Sequence, residues 1–443
     1  MISVFKETQK RVLIATYECG PNYGQHLQNY ALSEKLKELG FLPCTLKWWH
    51  AYYKTLGPRL DNLRFFRERY INSTTMCVTQ KELNKIMKTA DIIIIGGDQV
   101  FRVIEVRRDD LPGFRFFADF VYGKKVIASY AASFGTDSPD LDSYTISECK
   151  KLLQRFDRIS VREKSGVDIL KKTFDTDAIE VLDPVFLMGQ SKYDKLIENN
   201  SSIKHINNEY IAYMILGDKE GLGDVDKQLI IKLRPNLLIN INRNETGHFN
   251  TVEQWLYNIK NAKFVITDSF HCVAFCIIYK KPFIVVSRDR AGNARIDNFL
   301  AYLGLEKCRR YTLDDIIIND LKINIDWKSI YSTISQRLLN SESYIKEILN
   351  INPKYKKPYK NKMLKKIRDR YDKSYIYRKR SSMFAQMAEK VLRQKIGLKQ
   401  RIIRMIIKIL VDNKKYKKLK KQPLLFFRDS KSTFIRFIGL FYI

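Results

Sequence analysis

The sequence predicts an α/β fold of two tandem domains that face a cleft, followed by a basic, mainly helical tail. Three observations predict it: apolar runs typical of buried parallel strands, helix-like segments between them, and a restart of the same pattern after Gln190. We therefore expect an N-terminal domain over residues 1–190, a second domain over 191–350 and a tail over 351–443.

The first domain begins with the strand-like run RVLIATY, which passes through the loop CGPNYGQH into a helical pattern that ends at Gly40. The runs ADIIIIGGDQVF, KKVIASYAASFG, DRISVREKSGVDILKK and AIEVLDPVFLM follow. Each is apolar and then ends in small or polar residues. Such continuous apolar strands are typical of a parallel sheet that helices cover on both faces.

The second domain repeats this pattern with EYIAYMILG, PNLLINI, AKFVITDSFH and KPFIVVS. The helix-like segment TVEQWLYNIKNA lies between the second and third of these runs. Ligands of such sheets collect at the carboxyl ends of the strands, in the crevice between domains. We therefore expect the polar residues at these strand ends to face one cleft.

The basic residues are concentrated in the tail. Residues 351–443 contain 20 Lys and 9 Arg against 5 acidic residues, so they carry +24 of the total charge of +31. As a helix, KIGLKQRIIRMIIKILV has Arg404 and Lys408 on one face and most of its Ile and Leu side chains on the other. This pattern is typical of a helix that lies in an anionic membrane surface, and a helix packed on the body is the alternative.

Composition also indicates the cellular compartment and restricts the kinds of binding partner. The seven cysteines are scattered without a CxxC pair, which argues against a disulfide framework and a zinc ribbon. The amino terminus lacks a signal-peptide pattern, and no apolar run reaches the roughly 18 residues of a membrane span. We expect a cytoplasmic protein, peripheral on the inner face of the cell membrane, with no specific nucleic acid as partner because the body has no RNA-recognition module.

Two strand ends in the first domain carry candidate binding groups. Gly96 and Gly97 permit close approach by a ligand and precede Asp98, which could instead cap the next helix. Arg162 directly follows a strand and could grip a carboxylate or phosphate with two hydrogen bonds. A surface ion pair between Arg162 and Glu163 is the alternative. The loop CGPNYGQH could bind a phosphate at the start of the helix that follows it. It lacks both the GxGxxG and the Walker pattern, so a plain strand–helix turn is an equally open interpretation.

The segment VITDSFH gives the sharpest candidate. His271 follows a strand where catalytic groups are often placed, and either Asp268 or Ser269 could orient it. Downstream, SRDRAGNARI offers Arg288, Arg290 and Arg295 around a glycine. This loop suits an anionic substrate, and a solvated charge run is its alternative interpretation.

Seven segments in this order resemble the polysaccharide pyruvyl transferase family over roughly residues 10–310. They are NYGQHLQNYAL, IIIIGGDQVF, SYAASFG, ISVREKSGVDIL, VLDPVFLM, VITDSFHCVAFCIIYKKPFIV and NARIDNFLAYLGLE. Two positions depart from the family pattern: Gly97 stands where the family has serine, and Cys272 replaces the glycine after the family's histidine. The second departure could alter how closely an acceptor approaches His271.

The resemblance implies two Rossmann-like (GT-B-like) domains and a reaction that moves enolpyruvate from phosphoenolpyruvate onto a sugar of an exopolysaccharide intermediate. The product would be a pyruvate ketal, the acceptor could be lipid-linked, and no cofactor or metal would be needed. His271 and Asp98 would be catalytic. The substrate-binding residues would be Asn22, Tyr23, Gly24, Gln99, Arg162, Ser269 and Arg295.

Besides a nucleic-acid-binding protein, whose +24 tail would bind RNA non-specifically but which would explain only the last fifth of the chain, two other classes remain open. The first is a nucleotide-sugar glycosyltransferase of the GT-B type, because fold does not fix the donor. The second is a binding protein without catalysis, against which the joint presence of Arg162, His271 and Arg295 argues.

Overall fold

The computed structural model describes residues 9–18, 20–47, 60–75, 77, 79–102, 114–139, 141–216, 222–244, 247–286 and 294–361. The chain divides into two compact units, Met1–Leu364 and Lys365–Ile443. The second unit, with the predicted amphipathic segment 395–411, lies outside the described residues. Within the described ranges, no helix combines the length and the apolar character needed to cross a bilayer.

The first sheet consists of β1 (Arg11–Ala15), β2 (Leu42–Thr45), β3 (Ile92–Gly96), β4 (Gly123–Tyr130) and β12 (Lys354–Lys356). Their spatial order is β12-β4-β3-β1-β2, and only β12 pairs in the antiparallel direction. The short strands β5 (Ser160–Val161) and β6 (Ile179–Glu180) pair with each other, and isolated bridges connect this pair to β4.

The isoleucine run of β3 explains why this sheet is covered on both faces. Alternate strand residues point to opposite faces, so Ile93 and Ile95 enter one hydrophobic cluster while Ile92 and Ile94 enter another. The helices of this part are α1 (Tyr23–Glu38), α2 (Asp61–Tyr70), α3 (Gln80–Met87), α4 (Ser143–Leu153) and α5 (Lys164–Phe174).

The second sheet has five parallel strands in the order β11-β10-β9-β7-β8. They are β7 (Ile211–Met214), β8 (Leu238–Asn240), β9 (Phe264–Thr267), β10 (Phe283–Val286) and β11 (Arg309–Arg310). The helices are α6 (Gln190–Glu198), α7 (Leu222–Leu233), α8 (Val252–Asn261), α9 (Phe270–Ile278) and α10 (Ala294–Tyr302). The two mainly parallel sheets with their helices confirm the predicted α/β class, while most of the predicted helical tail lies outside the described residues.

The chain returns to the first sheet after completing the second. The long helix α11 (Trp327–Asn350) buries Tyr344 and Ile348 in a core cluster of the first sheet. The Tyr344 hydroxyl donates to the backbone oxygen of Ser129 at 2.8 Å. We therefore propose that α11 and β12 belong with the N-terminal domain, and we keep residue 190 as the proposed boundary between the two sheets.

The two sheets share one continuous core around α1 and α9. Tyr23 and Leu27 of α1 lie in the same hydrophobic cluster as Trp255 and Val273 of the second half. This packing places the start of α1 against the start of α9, so residues at the carboxyl ends of strands from both sheets come together.

Candidate active site

A single carboxylate, that of Asp183, faces both the arginine and the histidine predicted from the sequence. Asp183 follows β6 and is buried at the start of a short 3-10 helix, where its Oδ1 accepts from the Val185 amide at 3.1 Å. Nη1 of Arg162 donates to Asp183 Oδ2 at 2.6 Å. Nε2 of His271 lies 3.4 Å from the same oxygen. Arg162, Asp183 and His271 therefore form one buried charged cluster.

The groups around Asp183 keep it ionised although it is buried. Burial alone would raise the pKa of this carboxyl, but the charges and hydrogen bonds of His271 and Arg162 outweigh it and lower the pKa to about 2. Burial likewise acts to lower the pKa of Arg162, but Asp183, Glu163 and Asp98 raise it in net. The cluster thus holds a carboxylate and a guanidinium, both charged and both buried.

His271 is positioned by the start of α9. Ser269 caps this helix, with its Oγ accepting from the Cys272 amide at 3.5 Å. Asp268 accepts from the Leu216 amide at 2.7 Å, so it ties the end of β9 to the end of β7. The carboxylate beside the imidazole is therefore that of Asp183. Cys272 is fully buried in the hydrophobic core and does not line the cavity described below.

The start of α1 covers His271 from the first domain. Asn22 caps α1 through its side-chain oxygen, which accepts from the Gly24 amide at 2.9 Å. A Cβ atom on Gly24 would lie 2.0 Å from Cγ and 2.1 Å from Nδ1 of His271. Only glycine leaves room for the imidazole at this position.

Tyr23, predicted as a substrate-binding residue, lies in the packing between the two halves. Its ring stacks on Trp255 with centroids 5.0 Å apart, and its hydroxyl donates to the backbone oxygen of Asn242 at 2.7 Å. The residue is completely buried. These contacts fix the position of α1, and with it that of Gly24.

The segment after β3 approaches the same cluster. Gly97 has φ +85°, a conformation that favours glycine, and a Cβ there would meet the end of the Gln28 side chain at 1.5 Å. Asp98 is buried, and its Oδ1 accepts from the Gln99 amide at 2.8 Å. The Gln99 side chain accepts from Arg102 at 3.0 Å. Asp98 thus stabilises the turn, and its negative charge helps to raise the pKa of Arg162.

Arg162 keeps binding capacity that its neighbours do not use. Its Nε lies 3.6 Å from Glu163 Oε2, and its guanidinium lies over the Phe270 ring at 4.4 Å. Within the described residues, neither Nε nor Nη2 has a hydrogen-bond acceptor, although both are buried. A buried guanidinium with unused donors is suited to an anionic ligand.

A cavity of about 210 Å3 adjoins this cluster. It is lined by Arg162, Glu163, Lys164, Glu180, Leu182, Asp183, Phe270, Asn298, Phe299, Tyr302 and Arg337. His271 is not among the lining residues. Arg162 and Asp183 therefore border both the cavity and the region of the imidazole, which lie beside different parts of these two residues.

The structure places Arg295 in the first turn of α10, and its side chain lies outside the described residues. Arg288 and Arg290 lie outside them altogether. The candidate residues that the structure brings together are His271, Gly24, Asn22, Ser269, Asp98 and Arg162. Tyr23 and Gln99 contact protein groups at the edge of this set.

Sequence reasoning missed Asp183, Lys164 and Arg337. Asp183 belongs to the quoted segment VLDPVFLM, and an aspartate before proline at a strand end was the available signal. Arg337 lies on α11, and nothing in its local pattern indicates that this helix reaches the cleft.

Three solved structures illustrate the likeness in shape, at low identity. A glycosyltransferase from Rickettsia africae is 12% identical, with 78% of this chain and 100% of that chain covered and a TM-score of 0.40. UDP-GlcNAc 2-epimerase from Neisseria meningitidis bound to UDP-GlcNAc is 11% identical, with 82% and 99% covered and a TM-score of 0.39. Arabidopsis thaliana UGT89C1 complexed with UDP-L-rhamnose is 8% identical, with 77% and 100% covered and a TM-score of 0.43.

No curated protein matches the sequence. The sequence profile described as polysaccharide pyruvyl transferase does match, over residues 22–290. This range contains Asn22, Asp98, Arg162, Asp183 and His271. It also covers more than half of the chain, and the chain therefore belongs to the polysaccharide pyruvyl transferase family, whose members are transferases.

Proposed function

We propose that this protein transfers the enolpyruvyl group of phosphoenolpyruvate to a sugar of a surface or exopolysaccharide intermediate, forms a pyruvate ketal and releases phosphate. The observation that carries the proposal is the cluster in which Arg162 and His271 face the Asp183 carboxylate, in a chain of the pyruvyl transferase family. It supplies a fixed cation for an anionic donor and an imidazole for proton transfer.

The reaction requires two additions to one carbon. A sugar hydroxyl adds to the enol carbon of the donor and gives up its proton, while the terminal methylene gains a proton and becomes a methyl group. A second hydroxyl of the same sugar then attacks that carbon, loses its proton, and the carbon–oxygen bond to phosphate breaks. These steps need a general acid and base and a cation beside the leaving phosphate.

We assign the proton transfer to His271. Its Nε2 is turned towards Asp183, so the charged carboxylate balances the positive charge that the imidazole carries once it has taken up a proton. The Nδ1 edge lies against Gly24, so Nε2, which has no hydrogen-bond partner among the described residues, is the nitrogen that would exchange the proton. Ser269 orients the residue by capping the helix that carries it.

We assign the donor's anionic groups to Arg162 and Arg295. The unused Nε and Nη2 donors of Arg162 support this role, because a phosphate or carboxylate would satisfy them. Arg295 lies in the first turn of α10, and its assignment follows from the resemblance of NARIDNFLAYLGLE to the family sequence. Asn22 and Asp98 approach from the first domain, and the charge of Asp98 is one of the three that raise the pKa of Arg162.

We also propose that the basic segment 351–443 places the enzyme on the inner face of the cell membrane, where a lipid-linked acceptor would be available. The net charge of +24 in this segment supports the proposal. Its first part, Lys354–Lys356, forms β12 in the first sheet, so the membrane-binding part would begin beyond the first compact unit.

Release of inorganic phosphate from phosphoenolpyruvate in the presence of candidate sugar acceptors tests the proposed reaction. We expect release that depends on both the donor and an acceptor. If the protein is instead stabilised against thermal unfolding by nucleoside diphosphates and releases no phosphate from phosphoenolpyruvate, it is a nucleotide-sugar glycosyltransferase.

A further inference from the structure

The cavity beside Arg162 has a lining whose charges balance. Arg162, Lys164 and Arg337 contribute positive charge, and three carboxylates, those of Glu163, Glu180 and Asp183, contribute negative charge. Two of these pairs are close: Arg162 Nη1 lies 2.6 Å from Asp183 Oδ2, and Arg337 Nη2 lies 2.5 Å from Glu180 Oε2. Such a lining gives little net attraction to a ligand with several negative charges.

Aromatic rings form the apolar part of the wall. Phe270, Phe299 and Tyr302 all line the cavity. The guanidinium groups of Arg162 and Arg337 lie over the rings of Phe270 and Tyr302, at 4.4 and 4.0 Å. A ligand with one apolar face and a rim of hydroxyls suits such a wall, because the face can pack beside the rings while the rim forms hydrogen bonds with the charged groups.

Three polar side chains of the lining, those of Lys164, Asn298 and Tyr302, are exposed and can bind a ligand. Among the described residues, the Lys164 amine, the Asn298 amide and the Tyr302 hydroxyl have no hydrogen-bond partner. The Tyr302 side chain is 44% exposed, so the cavity opens to solvent on its side. Its volume of about 210 Å3 lies below the roughly 300–1,000 Å3 of sites for drug-sized ligands. A ligand of one ring is therefore favoured.

We propose that this cavity is the subsite for the acceptor sugar, and that it binds a single neutral pyranose ring. The inference rests on the proposed function. The donor would contact the side of Arg162 near His271, while the sugar would lie on the cavity side. Because Arg162 and Asp183 border both places, the ring hydroxyls would lie next to the reacting carbon. The paired Glu180 and Arg337 offer an acceptor and a donor to two adjacent hydroxyls.

Binding of methyl glycosides to the full-length protein tests this subsite directly. We would use saturation-transfer NMR with the methyl glycosides of glucose, galactose, mannose and N-acetylglucosamine. At least one should bind the wild type, and Asn298→Ala and Tyr302→Ala should each weaken its binding at least tenfold. Tyr311→Ala is the matched control, because Tyr311 is exposed and does not line the cavity. It should bind like the wild type.

A phosphorus NMR titration with phosphoenolpyruvate separates this inference from the proposed function. The Kd for phosphoenolpyruvate should change less than twofold in Asn298→Ala and Tyr302→Ala. If these variants no longer bind phosphoenolpyruvate but still bind the glycoside, the cavity is the donor site and the inference is wrong. Failure of every glycoside to bind, or equal binding by all variants, also overturns it. If the wild type binds a glycoside but not phosphoenolpyruvate, the proposed reaction fails and the sugar subsite stands.

Discussion

Gly24 of α1 lies so close to His271 of α9 that a Cβ atom would fall 2.0 Å from the imidazole Cγ. The contact joins the two halves of the protein at the proposed proton-transfer residue. Gly24 is in the first turn of a helix, where alanine would by itself favour the helix by about 1 kcal/mol. The requirement for glycine is therefore one of space beside His271.

The first prediction is that Gly24→Ala lowers phosphate release by at least roughly tenfold, because the imidazole must move away from Asp183. The matched control is Gly189→Ala, where a Cβ would meet only Ser191 Oγ, at 4.0 Å. Both variants should be assayed with saturating phosphoenolpyruvate. Equal rates in the two variants would show that the close contact does not position His271.

The second prediction concerns the guanidinium of Arg162. Arg162→Lys keeps the charge beside Asp183 but cannot offer several hydrogen bonds in one plane. Losing a charged hydrogen bond costs about 1.5–3 kcal/mol, so kcat/KM for phosphoenolpyruvate should fall roughly 10- to 150-fold. Arg295→Ala should act in the same direction. The control Arg64→Lys, on an exposed helix face, should match the wild type. Unchanged kinetics in Arg162→Lys would remove Arg162 from the donor site.

The third prediction concerns His26, a buried histidine in α1. Burial, together with the charge of Arg67, lowers its pKa to about 3, while its hydrogen bond to Gly20 acts in the opposite direction. The unfolded chain, with the ordinary pKa near 6.5, therefore binds a proton that the folded chain excludes. This stabilisation is fully present above about pH 6.5 and is lost as the pH falls towards 3.

For that reason the free energy of unfolding should be about 1.4 kcal/mol lower at pH 5.5 than at pH 7.5 through His26 alone. His26→Gln should flatten this dependence, whereas His205→Gln, at an exposed position, should keep it. Urea titrations at the two pH values measure the difference. If the free energy of unfolding changes equally between the two pH values in all three proteins, His26 does not control the acid sensitivity.

The strand pattern was predictable because it depends on local sequence. The isoleucines of β3 point to both faces of the sheet, and burying both apolar faces requires helices on both sides. The strand ends at Asp98, Arg162 and His271 were visible for the same reason. Which of these ends meet depends on packing between distant segments.

The role of Asp183 could not be predicted from the sequence. Its segment was recognised, but its carboxylate acquires meaning only beside Arg162 and His271, which lie on other elements. The return of α11 was equally hidden, because the apolar side of a helix does not indicate which sheet it covers. Tyr23 was grouped with the ligand-binding residues by its motif, whereas its stacking on Trp255 could not be inferred from that motif.

The fourth prediction is that truncation after Leu364 abolishes binding to anionic liposomes. The first compact unit ends at this residue, so the cut leaves β12 paired with β4. Each basic residue near an anionic surface contributes about 1 kcal/mol, and salt screens this attraction. Flotation with anionic and neutral vesicles at low and high salt measures it. Flotation of the truncated form with anionic vesicles, or failure of the full chain to float at low salt, would contradict membrane binding through the tail.

The central claim is that His271 transfers the proton during cleavage of phosphoenolpyruvate. The most direct measurement is acceptor-dependent phosphate release by wild type and by His271→Ala, with the thermal unfolding midpoint measured for both. We expect a folded variant whose release is reduced at least 100-fold, in line with the roughly 10²–10⁴-fold contribution of general acid–base groups. A folded His271→Ala protein that releases phosphate at the wild-type rate would contradict the mechanism.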